Sequence, residues 1–232
     1  MRCTSRFEGR ARRSGYRFIA GADEVGRGAL FGPVLAAAVI LDPDRPVRGL
    51  NDSKQLDADT REHLAARIRR NCLAWKVAAV DAARIDAMNI YQASREAMRR
   101  AVLGLLPQPD YVLVDALRLD LAMDQRAVIH GDALSRSIAA ASILAKVERD
   151  ALMREWDQVF PQYQLGKNKG YATPEHCAAL EAFGPSPLHR RSFAPVAAVS
   201  RFAEKSCGWW TENDSLYTEQ LCLPLEAAAA SG

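Results

Sequence analysis

Two apolar runs near the start of the chain have the length of β-strands. They cover residues 17–25 and 32–41, and a glycine-rich stretch separates them. This pattern predicts two buried strands joined by a tight turn. Three further runs predict strands at residues 73–80, 110–117 and 126–132.

Between and after these strands, apolar positions recur with helical spacing. The predicted helices cover residues 57–71, 81–89, 90–106 and 135–160, and another begins near Pro174. Asp57 or Asp59 is the expected N-cap of the first helix. Strands followed by helices that alternate with further strands indicate an α/β fold, in which helices flank a mixed β-sheet.

Composition adds two charged ends to this picture. The chain has 232 residues, 49% of them hydrophobic, which suits one globular domain or one domain with an appendage. Residues 1–16 form a basic N-terminal arm, which we interpret as solvated and disordered, and residues 203–232 form a peripheral acidic tail. Trp209 and Trp210 either fold the tail back or mark an interaction surface, and the sequence leaves both open.

The cysteines and the apolar runs argue against several classes of protein. Five scattered cysteines without a Cys-x-x-Cys pair imply neither a zinc site nor a disulfide framework. The longest apolar run, Val34 to Leu41, is too short to span a bilayer, and the N-terminus lacks the apolar core of a signal peptide. We therefore expect a cytoplasmic protein without membrane contact, and we expect a monomer.

Acidic residues stand where three predicted strands end. Asp23 and Glu24 end the first strand, Asp115 ends the run "YVLV", and Asp132 follows "AVIHG". Carboxylates that converge at one sheet edge repel one another unless a cation neutralises them. Without a cluster of His or Cys, oxygen ligation favours Mg²⁺ or Mn²⁺, and two such ions about 4 Å apart are typical of phosphoryl transfer. A role as a turn or cap residue is the alternative for each acid taken alone.

The triplet Gly26, Arg27 and Gly28 follows the first acids directly. Glycine lets the backbone approach a ligand closely, and Arg27 adds a positive charge for a phosphate. Beside metal-bound carboxylates, such a turn is suited to reading the 2′-hydroxyl that distinguishes RNA from DNA. A plain tight turn is the alternative, because the triplet is a weak signal by itself.

Five segments together resemble ribonuclease HII in order and spacing, between about Phe18 and Phe193. They read "GADEVGRGALFGPV", "NDSKQL", "YVLVDAL", "GDALSRSIAAASILAKVERD" and "NKGYATPEH". The resemblance implies a ribonuclease H-like catalytic domain over residues 17–202, with a C-terminal helical portion. It also implies an endonuclease that acts on the RNA of RNA–DNA hybrids and cuts 5′ of single ribonucleotides in duplex DNA, leaving a 3′-hydroxyl and a 5′-phosphate.

The resemblance also assigns roles to single residues. The metal-binding acids would be Asp23, Glu24 and Asp115, with Asp132 as the fourth active-site carboxylate, and two Mn²⁺ or Mg²⁺ ions would bind there. Tyr171 would stack on the sugar next to the junction. The other substrate contacts would be Gly26, Arg27, Gly28, Ser53, Lys54 and Lys169.

Some residues leave alternatives open. Lys167, Lys169, Arg190 and Arg191 form a late basic group, which we predict to follow phosphates although such groups are usually solvated. His130 stands where the family commonly has lysine, and it either changes the response to pH and salt or is a surface residue without a role.

Two other functions use the same scaffold. One is a DNA-cutting or strand-transfer enzyme with the same carboxylates and no preference for a 2′-hydroxyl, which the Gly-Arg-Gly triplet argues against. The other is a nucleic-acid binder without catalysis, which usually lacks carboxylates that are all present here.

Overall fold

The structure, a computed structural model, describes residues 3–206, with side chains through residue 200. Its strands are β1 Ile19–Val25, β2 Val34–Leu41, β3 Cys72–Val80, β4 Tyr111–Asp115 and β5 Asp124–Val128. They form a sheet in the order β3-β2-β1-β4-β5. β1 pairs antiparallel with β2 and parallel with β4, so the predicted mixed sheet is confirmed.

Helices cover both faces of this sheet. They are α1 Arg6–Arg13, α2 Ala58–Asn71, α3 Ala82–Met88, α4 Ile90–Leu103, α5 Gly131–Leu134, α6 Arg136–Val159, α7 Leu165–Asn168, α8 Pro174–Phe183 and α9 Ala194–Ser206. Asp57 caps α2, because its side chain accepts a hydrogen bond from the Thr60 N–H. None of the helices in residues 3–206 is long and apolar enough to cross a bilayer.

The apolar run of β2 contributes to two cores, because neighbouring residues of a strand point to opposite faces. Ala37 and Val39 pack with α2 and α6 on one face of the sheet. Ala36 and Ala38 pack with α3 and α4 on the other face. The continuous apolar pattern therefore reflects a central strand that is buried on both sides.

A third core supports the C-terminal helical portion. The second half of α6 contributes Met153 and Trp156, which pack with Phe31 from the segment after β1 and with Val196 of α9. The helical portion is thus attached to the turn that follows β1.

Helix α6 crosses β1 at Gly21 in direct contact. A Cβ atom at Gly21 would lie 2.1 Å from the carbonyl carbon of Ser137. The missing side chain lets the helix lie on the strand, and this brings the polar residues of α6 close to the end of β1.

The N-terminal arm differs from its prediction, since residues 6–13 form helix α1. Glu8 is only 4% exposed, and its carboxylate accepts hydrogen bonds from the Ser135 hydroxyl at 2.7 Å and the Ser137 N–H at 2.8 Å. A carboxylate at the N-terminus of α6 satisfies its free N–H groups and complements the helix dipole. The expectation of a disordered arm is therefore wrong. The tail beyond residue 206, with Trp209 and Trp210, lies outside the described residues.

Candidate active site

Asp23 and Asp115 are neighbours across two parallel strands. The register pairs Ala22 of β1 with Val114 of β4, so the two acids are the next residues along their strands. Parallel strands end at the same edge of a sheet. The topology therefore brings these two carboxylates together at the carboxyl edge.

The four predicted acids line one cavity of about 470 Å³. Asp23 is 5% exposed and Asp132 is 9% exposed, so two of these carboxylates are buried. The cavity is also lined by three residues that the sequence assigned to substrate binding, namely Ser53, Lys54 and Tyr171. Residues that are far apart in the chain thus meet at one concave site.

Asp132 does not lie at a strand end as predicted. β5 ends at Val128, and Asp132 lies in the short helix α5. The backbone of His130 is left-handed, with φ 56°, so the chain changes direction after β5. The Gly131 N–H then donates to Asp115 Oδ1 at 2.7 Å, and a Cβ atom at Gly131 would lie 2.5 Å from Ile138 Cδ1. Gly131 therefore does not end a strand, and its missing side chain permits a tight turn against α6.

Burial and mutual repulsion make these carboxylates reluctant to ionise. Burial, followed by the charges of Glu24 and Asp115, raises the pKa of Asp23 well above its usual range. Burial also raises the pKa of Glu24, against the lowering effect of Arg27. The pKa of Asp115 is raised by burial and, to a lesser extent, by Asp132. A bound cation would relieve these costs, because it favours the charged form of each acid.

Each carboxylate has a hydrogen-bond donor or a cation of the protein nearby. The Glu24 N–H donates to Asp23 Oδ1 at 2.8 Å, and Arg27 Nη1 donates to Glu24 Oε1 at 3.3 Å. Lys54 Nζ lies 3.9 Å from Asp132 Oδ2. Within residues 3–206, no three His, Cys, Asp or Glu side chains are already grouped around one point as ion ligands. The site is thus an open cavity of oxygen donors, which fits Mg²⁺ or Mn²⁺ once the side chains turn toward an ion.

Ser142 and Lys146 are site residues that the sequence analysis missed. Both line the cavity, and the Ser142 hydroxyl lowers the pKa of Asp23, against the larger raising effect of burial. The Ser142 hydroxyl also lies 2.9 Å from the hydroxyl of Ser53, which is buried. Ser53 therefore holds the Ser142 hydroxyl in place beside the carboxylates. Their signal was the i, i+4 spacing of polar residues on the otherwise apolar start of α6.

Asp150, near the cavity, forms two ion pairs. Lys146 Nζ donates to Asp150 Oδ1 at 2.7 Å, and Arg61 Nη2 lies 3.9 Å from Asp150 Oδ2. The lysine is the closer partner. Both cations come from elements on the α6 face of the sheet.

The Gly-Arg-Gly turn combines a buried position that only glycine fits with an exposed position. Gly26 has φ +88°, and a Cβ there would lie 2.5 Å from Arg149 Nε. Gly28 is exposed, and the nearest atom to a Cβ there would be Tyr171 Cε1 at 3.9 Å. The first glycine is required by the fold, whereas the second has room for a Cβ atom in ordinary contact with Tyr171.

Two buried arginines hold this turn in place. Arg149 and Arg190 are both 0% exposed and lie in none of the ion pairs found in residues 3–200. Arg190 Nη1 donates to the Arg27 carbonyl at 3.0 Å, and Arg149 Nη2 donates to the carbonyls of Phe31 at 3.1 Å and Lys169 at 3.3 Å. The prediction that Arg190 follows phosphates is wrong, because the side chain is buried against backbone carbonyls.

The backbone of Tyr171 is held by a buried histidine pair. His176 Nδ1 donates to the Tyr171 carbonyl at 2.9 Å, so its Nε2 accepts from His189 Nε2 at 3.0 Å. His189 Nδ1 in turn accepts from the Ser186 N–H at 2.9 Å. One consistent pair of neutral tautomers satisfies all these bonds. Both histidines are buried, so the pair supports the loop that carries Tyr171 from inside the fold.

Lys169 has a left-handed backbone, φ 54°, and its ammonium donates to the Gly166 carbonyl. Burial lowers the pKa of this lysine. The side chain is therefore partly engaged with its own loop, while Lys167 is exposed.

Comparison with known proteins decides the family. The family model described as Ribonuclease HII matches residues 20–196. The chain belongs to the ribonuclease HII family. Ribonucleases HII are metal-dependent endoribonucleases that hydrolyse the RNA strand of RNA–DNA hybrids.

Relatives of this ribonuclease HII cover most of its length. Ribonuclease HII of Koribacter versatilis (strain Ellin345) is 63% identical over 200 residues, which are 86% of this chain and 79% of that protein. Ribonuclease HII of Solibacter usitatus (strain Ellin6076) is 62% identical over 202 residues, or 87% and 89% of the two chains. The crystal structure of ribonuclease H2 from Pyrococcus horikoshii OT3 has a TM-score of 0.68 at 26% identity, covering 82% of this chain and 100% of that chain. The expected ribonuclease H-like fold is confirmed.

Proposed function

We propose that this ribonuclease HII cuts 5′ of single ribonucleotides embedded in duplex DNA, as well as the RNA strand of hybrids, and leaves a 3′-hydroxyl and a 5′-phosphate. One observation carries the proposal. Gly28 is exposed and lies beside Tyr171, a residue that lines the carboxylate cavity. A sugar bound on the exposed side of Gly28 would have its 2′-hydroxyl beside the backbone of the turn.

Four carboxylates would hold the metal ions, namely Asp23, Glu24, Asp115 and Asp132. They offer oxygen ligands only, and burial raises the pKa values of the first three. Two divalent ions, Mg²⁺ or Mn²⁺, supply an activated water and stabilise the departing oxygen when bound.

The remaining residues bind and orient the substrate. Gly28 presents backbone without a side chain, so the ribose approaches the N–H groups of the turn closely. Arg27 is exposed and contacts the adjacent phosphate, while Lys54, with an 81% exposed side chain, reaches the backbone at the cavity mouth. Tyr171 stacks on the neighbouring sugar, and Lys169 adds positive charge behind it.

The test uses two duplexes that differ by one 2′-hydroxyl. We expect the duplex with one ribonucleotide to be cut at a single site on its 5′ side with Mg²⁺ or Mn²⁺ and not with EDTA. We expect Asp23→Asn to remove the cleavage. Equal cutting of the all-DNA duplex would support a DNA-cutting enzyme instead, and binding without cutting would support a binder.

We also propose that the enzyme acts as a monomer in the cytoplasm. Light scattering of the protein with and without the ribonucleotide duplex tests the first part. A mass of two chains in the free protein would contradict it.

A further inference from the structure

A second groove, of about 910 Å³, lies on the face of the sheet opposite α6. Its walls are α3, α4 and the loop of residues 116–123. Its charged lining residues are Arg84, Arg95, Arg99, Arg118, Glu96 and Asp120. Because four arginines and two acids line it, the groove has a net positive charge. Glu96 is further neutralised by Arg100, whose Nε donates to Glu96 Oε1 at 2.8 Å.

Two of these arginines fix the shape of the groove. Arg95 Nε donates to the Arg118 carbonyl at 3.1 Å, and Arg99 Nε donates to the Asp120 carbonyl at 3.2 Å. These bonds tie the loop to α4. The groove is therefore formed by connected elements and does not depend on a free loop.

The other two arginines are available to a ligand. Arg84 and Arg118 are exposed, and their side chains have no hydrogen-bond or ion-pair partner among residues 3–200. Beside them Tyr91 is 45% exposed, and the guanidinium carbon of Arg95 lies 5.8 Å from its ring centroid. Unpaired guanidinium groups around an exposed aromatic ring form a surface that suits the phosphates and bases of nucleic acids.

The groove begins close to the carboxylate cavity. Arg118 is three residues after Asp115, so their Cα atoms are at most about 11 Å apart. One strand of a duplex advances about 3.4 Å along the axis per nucleotide. A duplex that is held at the carboxylates and runs toward this groove would come level with Arg118 within three to four base pairs, ~11 Å, of the cleavage site.

We propose that this groove binds the phosphate backbone of the substrate duplex on one side of the cleavage site. Arg84 and Arg118 contact phosphates directly, while Arg95 and Arg99 hold the loop that presents them. The inference rests on the proposed function, since it requires a duplex in the carboxylate cavity.

The salt dependence of binding tests the proposal. Each phosphate contact contributes about −0.9 to the slope of log K against log salt. We expect the double variant Arg84→Ala/Arg118→Ala to make this negative slope shallower by about 1.8 on a duplex with one ribonucleotide, measured by fluorescence anisotropy in Ca²⁺. The control is Arg48→Ala/Arg70→Ala, which removes two exposed arginines from outside the groove and is expected to keep the wild-type slope.

Two asymmetric duplexes sharpen this test, because each extends from the ribonucleotide in only one direction. We expect one extension to strengthen binding by the wild type, and we expect the double variant to lose that gain. A double variant with the wild-type slope and the wild-type gain on both duplexes would overturn the proposal. A wild type that fails to cut at the ribonucleotide would instead overturn the proposed function, so the two failures are distinguishable.

Discussion

The substitution Gly28→Ala separates the function of the turn from its fold. Gly28 is exposed, it is absent from the residues with positive φ, and a Cβ there would have its nearest contact at 3.9 Å, with Tyr171 Cε1. That distance is an ordinary van der Waals contact. We therefore expect the free energy of unfolding to change by less than about 0.5 kcal/mol.

The same methyl group should remove most of the activity. It projects about 1.5 Å from the Cα atom of Gly28, at the exposed surface against which the proposed sugar lies. A displacement of the reacting group by about 1 Å costs roughly 100-fold in rate, which equals about 2.7 kcal/mol of transition-state stabilisation. We expect single-turnover cleavage of a duplex with one ribonucleotide to slow by at least that factor.

Gly26→Ala is the matched comparison in the same turn. Gly26 has φ +88°, and a Cβ there would lie 2.5 Å from the buried Arg149 side chain, so we expect this variant to lose both stability and activity. Urea unfolding and single-turnover cleavage are measured for both variants. Cleavage by Gly28→Ala at the wild-type rate would refute the idea that a sugar lies against this glycine.

Four further predictions concern the scaffold and the acids. Ala116 has φ 50°, a backbone region that costs a non-glycine residue about 1–2 kcal/mol. Ala116→Gly should therefore raise the free energy of unfolding, measured in urea, by up to about 1 kcal/mol, and a lower free energy of unfolding would contradict this. Gly21→Ala should lower the free energy of unfolding by about 3 kcal/mol or more, because the new Cβ would lie 2.1 Å from the backbone of α6. An unchanged midpoint of urea unfolding would show that α6 is free to shift. Asp23→Asn should raise the Tm of the metal-free protein, because burial raises the pKa of Asp23 and makes its charge costly. The same variant should lose the stabilisation by Mn²⁺. A lower Tm of the variant in EDTA would contradict this. Burial lowers the pKa of His189 to about 3, below its unfolded value of 6.5, so the contribution of this residue to stability is complete above pH 6.5. Below pH 6.5, the free energy of unfolding should fall by about 1.4 kcal/mol per pH unit, because the unfolded chain binds a proton that the folded protein does not. Unfolding at successive pH values measures this slope, and His189→Asn should reduce it.

The sheet and most helices were predictable because their patterns are local. The apolar runs of β1 and β2 and the cap at Asp57 each follow from neighbours in the chain. Helix α1 was missed because its burial depends on Glu8 meeting Ser135, a residue more than a hundred positions away. Charge composition alone made this segment look solvated.

The acids of the site were found from their positions at strand ends, while their supports were not. Nothing local to Arg190 reveals that its side chain is buried against the Arg27 carbonyl, since two adjacent arginines resemble a surface patch. Ser142 was hidden in an alanine-rich helix whose register against β1 depends on the contact at Gly21. Such roles come from packing between distant elements.

The most direct test of the carboxylate site is an anomalous difference map from crystals of the protein with Mn²⁺ and a duplex carrying one ribonucleotide. The account predicts two manganese peaks about 4 Å apart, bounded by Asp23, Glu24, Asp115 and Asp132. Manganese that binds elsewhere, with none in this cavity while the ribonucleotide lies against Gly28, would contradict it.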